Sequence, residues 1–106
     1  MENKPICEID KMGTKRWYLN GQLHREDGPA IERTDGQYRW YINGKLHRLD
    51  GPAIIWNDGS YLWYINSYNV TNKIHQWAKE NDIDLNNLTD VDKLLIKLTW
   101  TDYRKV

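Results

Sequence analysis

The sequence predicts a mainly β fold of the α+β class: an antiparallel β-hairpin repeat meander with two C-terminal helices as a cap. Three observations predict it. Trp17, Trp40 and Trp63 recur at an interval of 23 residues, and most positions between them match. Within each interval, large apolar residues alternate with others around Asn-Gly and Asp-Gly pairs, which is how hairpin strands read. Beyond Asn66 the repeat fails, and apolar residues take the three- and four-residue spacing of helices. A repeat of this period decides the architecture ahead of any other signal.

Residues 1–5 are polar and read as a frayed end. Residues 6–16 form a degenerate half-repeat. Gly13 stands four residues before Trp17, as Gly36 does before Trp40 and Gly59 before Trp63, while Met12 replaces Asp35 and Asp58. Departures of this kind suit a terminal repeat. In the next strand Tyr38, Trp40 and Ile42 point one way, and Arg39 and Tyr41 the other. Asn43-Gly44 turns the chain, Lys45-Leu46-His47-Arg48 runs back, and Asp50-Gly51-Pro52 breaks that strand. Residues 53–56 are the next strand, and Asn57-Asp58-Gly59 turns it. The preceding repeat reads the same way through Asn20-Gly21, Asp27-Gly28-Pro29 and Asp35-Gly36.

Trp17, Leu19, Tyr38, Trp40, Ile42, Tyr61, Trp63 and Ile65 are expected on one buried face. Arg16, Tyr18, Arg39, Tyr41, Leu62 and Tyr64 are expected on the other. Leu62 in the place of Arg39 suggests that the late end is covered, near Leu62 and Tyr64. The cover is expected from helices over 71–80 and 90–99. Val70, Ile74, Trp77 and Ala78 mark the face of the first, with Asn69 or Thr71 as its cap and Asn81-Asp82 as its end. Thr89 opens the second in a capping-box arrangement, and Val91, Leu94, Leu95 and Leu98 form its stripe. The whole of 1–106 is read as a single domain, with repeats over 6–66 and the cap over 70–101.

The 106 residues carry 15 Lys+Arg and 15 Asp+Glu. A balanced charge argues against nucleic acid as the main partner, since phosphate neutralisation drives such binding. No apolar run is long enough for a membrane span and no signal-peptide pattern is present, so a cytoplasmic location is expected. The single Cys7 allows no internal disulfide and reads as a buried filler.

Candidate chemistry is sparse. His24 and His47 occupy equivalent positions. Equivalent points on successive repeats lie roughly 10 Å apart, at two strand spacings each, too far to share one zinc at ~2.1 Å. Their expected role is to tie a strand to the Asp-Gly-Pro turn. Arg25 with Asp27, and Arg48 with Asp50, read as ion pairs that fix the same turns. His75 reads as a surface or helix-packing residue. No phosphate loop is spelled, and no cofactor, metal or catalytic set is expected. The best functional candidate is the second face of the sheet, where Tyr18, Tyr41 and Tyr64 are flanked by Arg16 and Arg39. Tyr and Arg are enriched where proteins bind proteins; the same ladder also fits the stacking of single-stranded bases or plain sheet packing.

The unit Gly-x-x-His-x-x-x-Gly…Asp-Gly-x-x-x-Trp-Tyr resembles the MORN (membrane occupation and recognition nexus) repeat. Its residues are Gly21, His24, Gly28, Asp35, Gly36, Trp40 and Tyr41, then Gly44, His47, Gly51, Asp58, Gly59, Trp63 and Tyr64. The spelling N-G-x-L-H-R-x-D-G-P-A-I looks like a variant abundant in bacteriophages and giant viruses. The resemblance covers about 6–66. It implies a single-layer hairpin meander that binds proteins and sometimes contacts lipid. It further implies a small phage protein in the host cytoplasm that inhibits a host defence system, such as CRISPR, by direct binding. The expected function is therefore a non-enzymatic protein-binding module with a host protein as partner; a homodimer is compatible with it. The alternative is a nucleic-acid or phospholipid contact module using the Tyr/Arg face.

Overall fold

The computed structural model describes residues 4–104; most of the polar start read as frayed, residues 1–3, lies outside them. Among the described residues the first strands are β1 (Ile6–Ile9), β2 (Lys15–Leu19), β3 (Gln22–Leu23) and β4 (Ile31–Glu32). The second repeat supplies β5 (Tyr38–Arg39), β6 (Tyr41–Ile42), β7 (Lys45–Leu46) and β8 (Ile54–Ile55). The third supplies β9 (Tyr61–Leu62), β10 (Tyr64–Ile65) and β11 (Tyr68–Asn69), followed by α1 (Thr71–Glu80) and α2 (Asp90–Trp100). The antiparallel meander with two C-terminal helices is the fold.

One ladder runs β1-β2-β4-β5-β8-β9, with β3 also on β2, while β6/β7 and β10/β11 are separate hairpins. Backbone bonds at the tryptophans explain the division. Trp40 N–H donates to the Ala53 carbonyl at 2.8 Å, and His47 N–H donates to the Trp40 carbonyl at 3.1 Å. A strand residue directs its N–H and C=O to the same side, so β7 and β8 lie end to end along one edge of the β5–β6 segment. Residues 48–52 loop out between them. Trp17 repeats this with Ala30 and His24, at 2.9 and 3.0 Å. Each repeat is thus a hairpin whose return strand is interrupted by an excursion carrying Arg-x-Asp-Gly-Pro.

The third repeat runs further than its spelling. Asn66 and Ser67 take left-handed φ values of 51° and 70°, matching Asn43 and Gly44 at 49° and 77°. The hairpin therefore closes although Ser stands where Gly did. Val70 N–H donates to the Trp63 carbonyl at 2.9 Å, as His24 and His47 do to their tryptophans. Thr71, in the place of Arg25 and Arg48, presents Oγ1 to Trp63 N–H at 2.9 Å. The repeat geometry ends at Val70, not Asn66, and α1 starts where the third excursion would.

The cap packs against the last repeat as expected, but its core includes neither Leu62 nor Tyr64. Its core joins Trp63, Ile65, Val70, Ile74, Ile96 and Trp100, with Leu49, Tyr61, Trp77 and Leu88 packed around. The helices cover the tryptophan face most fully at the third repeat: Trp63 is 1% exposed, while Trp17 and Trp40 are half-buried. The expected single buried face is correspondingly graded. In α1 the expected face is the buried one, with Ile74 and Ala78 inside. Val70, not Asn69 or Thr71, occupies its N-cap position and offers no side-chain bond, although Asn69 Oδ1 accepts from Thr71 N–H at 3.1 Å. In α2 the capping box of Thr89 and Asp92 forms as expected. Its expected stripe does not pack. Ile96 and Trp100 are buried instead, in one core with Trp63, and Val91, Leu94, Leu95 and Leu98 are exposed. Cys7 is exposed on β1, not buried.

Candidate functional site

The excursions are held by a guanidinium slot. Arg48 Nε donates to Asp50 Oδ1 at 2.9 Å, and its Nη1 donates to the Pro52 carbonyl at 3.0 Å. The guanidinium carbon lies 3.9 Å from the centre of the Trp40 ring, within cation–π range. Arg25 repeats the set with Asp27 at 2.9 Å, Pro29 at 3.1 Å and Trp17 at 3.8 Å. It adds Glu32 at 3.0 Å; the equivalent position in the next repeat is Ile55. Gly28 and Gly51 leave room for the guanidinium: a Cβ there would stand 3.0 and 2.5 Å from the Arg25 and Arg48 guanidinium carbons. The expected turn-fixing pairs are therefore part of a larger clamp on the tryptophans.

The histidines are structural, with a different partner from the one expected. His24 Nδ1 accepts from Asn43 N–H at 2.9 Å, and His47 Nδ1 accepts from Asn66 N–H at 3.0 Å. Each imidazole ties its repeat to the hairpin turn of the next repeat, not to its own Asp-Gly-Pro turn. An acceptor Nδ1 carries no proton, so the ring is in the tautomer with hydrogen on Nε2. His75 stacks on Tyr61 at 5.8 Å and lies 3.2 Å from its hydroxyl, which joins α1 to the last repeat.

The carboxylates of the hairpin turns also have assigned work. Asp58 Oδ1 accepts from Ser60 N–H and Oγ at 2.9 and 2.6 Å, and Asp35 Oδ1 accepts from Gln37 N–H at 3.1 Å. In the degenerate first repeat Asp10 does this from two positions earlier, accepting from Met12 and Thr14 N–H; that is why Met12 can stand where later copies have Asp. All three carboxyls are held below the ordinary range. The main cause is the Arg16 guanidinium at Asp10, the Gln37 amide at Asp35 and the Ser60 hydroxyl at Asp58.

The Tyr/Arg face can be followed strand by strand. Directly opposed residues Glu8, Arg16, Ile31, Arg39, Ile54 and Leu62 run across the sheet from β1 to β9, and opposed residues share a face. Strand alternation adds Tyr18, Tyr41 and Tyr64 to it. All five candidates, Arg16, Tyr18, Arg39, Tyr41 and Tyr64, are half-buried. Arg16 is paired with Asp10 at 2.8 Å, and Arg39 Nε donates to Gln37 Oε1 at 3.3 Å. The rows are tightened by the apolar residues between them, with Ile54 buried between Arg39 and Leu62.

On the tryptophan side a second concavity lies between the two excursions and α2. Trp40 and Ile42 line it together with Arg25–Gly28, His47–Asp50 and Lys93, Leu94 and Lys97 of α2, around an open volume of about 890 Å³. It exists because α2 overhangs the second repeat without packing closely on Trp40, which stays half-buried. The sequence gives no direct sign of it, since it depends on which face the helices choose. Among the described residues no group of three His, Cys, Asp or Glu side chains is placed to hold a metal ion, and no helix is long and apolar enough to cross a membrane. In comparisons with known proteins, no family model, no curated protein and no solved structure matches this chain.

Proposed function

We propose that this chain is a non-enzymatic protein-binding module, and that it meets its partner through Arg16, Tyr18, Arg39, Tyr41 and Tyr64. The observation that carries this reading is the placement of the cap. Both helices pack on Trp63 and Ile65, and alternation puts Leu62 and Tyr64 on the other side of the sheet. The cap therefore leaves the Tyr/Arg face as a broad surface of half-exposed aromatic and guanidinium groups. Such groups bury large area with little loss of rotamer freedom and supply directional donors. Inhibition of a host defence system, with a host protein as the partner, is supported by the phage-like spelling of the repeat. The groove beside Trp40 is a second reading of where that protein docks, favoured by its concavity.

The test is affinity capture followed by binding measurements on the isolated partner. Tyr41→Ala and Arg39→Glu should each weaken binding by about 1–3 kcal/mol, the cost of a hot-spot residue, with melting curves preserved. Loss of binding on Lys93→Glu or Glu26→Lys alone would transfer the site to the groove. Salt-sensitive recovery of nucleic acid, or binding to phospholipid vesicles, in place of a stoichiometric protein would overturn the reading.

A further inference from the structure

We propose that α2 is the contact helix of a two-fold homodimer, pairing antiparallel with α2 of a second copy of this chain. The helix is apolar on two sides. Ile96 and Trp100 lie in the core. On the other side Val91, Leu94, Leu95 and Leu98 are 74, 55, 39 and 74% exposed. Their spacing of three and four residues makes one continuous stripe along the helix. A helix with apolar residues on two opposite sides has a second face to bury, and large apolar groups gathered in one exposed patch mark an interaction surface.

Charge identifies the occupant. Asp90 lies in the first turn and Lys97 in the last. Seven residues apart on a helix of 3.6 residues per turn, they fall on the same flank of the stripe. When two copies of α2 are laid antiparallel with their stripes together, Asp90 of each chain comes beside Lys97 of the other. The pairing occurs twice, as a two-fold axis requires. The helix dipoles then also run in opposite directions. A parallel arrangement sets acidic first turn against acidic first turn instead. One chain thus carries both halves of the complementarity. An interface centred on a helix ~16 Å long is small, so association at roughly micromolar concentration and above is expected. The Tyr/Arg face stays free in this arrangement.

Sedimentation of the whole chain across a concentration series tests the proposal. The mass should rise from 12.7 kDa towards twice that value as concentration increases. Leu98→Asp, at an exposed position, should hold the chain at the monomer mass. Asp90→Lys and Lys97→Asp should each weaken self-association about tenfold, through two like-charged contacts per dimer. An equimolar mixture of these two variants should dimerise, because one supplies only cations and the other only anions at the paired positions. A wild-type chain that stays at 12.7 kDa throughout would overturn the proposal. A dimer that survives Leu98→Asp, or a mixture no better associated than its components, would overturn it equally.

Discussion

Gly51→Ala tests the guanidinium slot on which each excursion depends. The added Cβ would stand 2.5 Å from the Arg48 guanidinium carbon and 2.7 and 2.9 Å from its two terminal nitrogens, so the group must leave. The Trp40 ring, its centre 3.9 Å from the guanidinium carbon, limits where the group can shift. Departure breaks the bonds to Asp50 and to the Pro52 carbonyl. Each hydrogen bond from a charged group is worth about 1.5–3 kcal/mol, less where a partner is in water, and the Asp50 side chain is 59% exposed. The cation–π contact adds about 0.5–2 kcal/mol. Against these, Ala restricts the unfolded chain and returns about 0.4–1 kcal/mol. A net loss of about 2–4 kcal/mol is expected, which lowers the Tm of a domain this size by roughly 10 °C or more. Urea unfolding followed by tryptophan fluorescence measures it. Gly28→Ala should cost less, because its Cβ meets Arg25 at 3.0 Å. In Arg48→Ala/Gly51→Ala the obstruction is gone, so the double variant should be no less stable than Arg48→Ala. Full stability in Gly51→Ala, or additive losses in the double variant, would refute the slot.

Three further outcomes are expected. Ser67→Gly should raise stability by about 0.5–1 kcal/mol, since Ser67 holds a left-handed φ of 70° that glycine adopts without strain; an unchanged or lower midpoint in urea would count against it. His47→Ala should cost about 0.5–1.5 kcal/mol and speed hydrogen exchange at the Asn66 amide, whose acceptor is His47 Nδ1; unaltered exchange there would deny the inter-repeat tie. The depressed carboxyls of Asp10, Asp35 and Asp58 contribute stability that is complete above their unfolded pKa of about 3.9. It is lost as pH falls through the lower folded values. Replacing all three with Asn should flatten the acid limb of a stability–pH curve, and an identical limb would remove these turns from the acid response.

The repeat was legible because a 23-residue recurrence of tryptophan, Asn-Gly and Asp-Gly leaves little choice of topology. Both helices were legible through their apolar spacing, and Thr89 through its capping box. The errors lie where one chemical pattern permits two partners. Repeat logic marks His24 and His47 as structural, but their acceptor bonds reach 19 residues ahead, a relation that only the stacking of repeats creates. In α2 four apolar residues of the stripe outnumber Ile96 and Trp100, yet the larger indole fills the core. Ser67 conceals a turn because its backbone conformation is that of glycine. For the candidate site, strand alternation proposes one face for the five Tyr and Arg side chains, and the ladder register sets Arg16 and Arg39 in one row across it. The groove beside Trp40 depends on which face the cap covers, and periodicity within a strand says nothing about that choice.

The most direct measurement of the central claim is site-specific photocrosslinking inside the cell that makes the protein. A benzophenone amino acid in place of Tyr41 preserves an aromatic ring on the Tyr/Arg face, and the same group in place of Lys93 reports from the groove. The expected result is one protein captured in high yield at Tyr41, little at Lys93, and loss of the product when Arg39→Glu is added. Capture of nucleic acid or lipid at Tyr41, or of a protein at Lys93 alone, would contradict the claim that this chain binds a protein through Arg16, Tyr18, Arg39, Tyr41 and Tyr64.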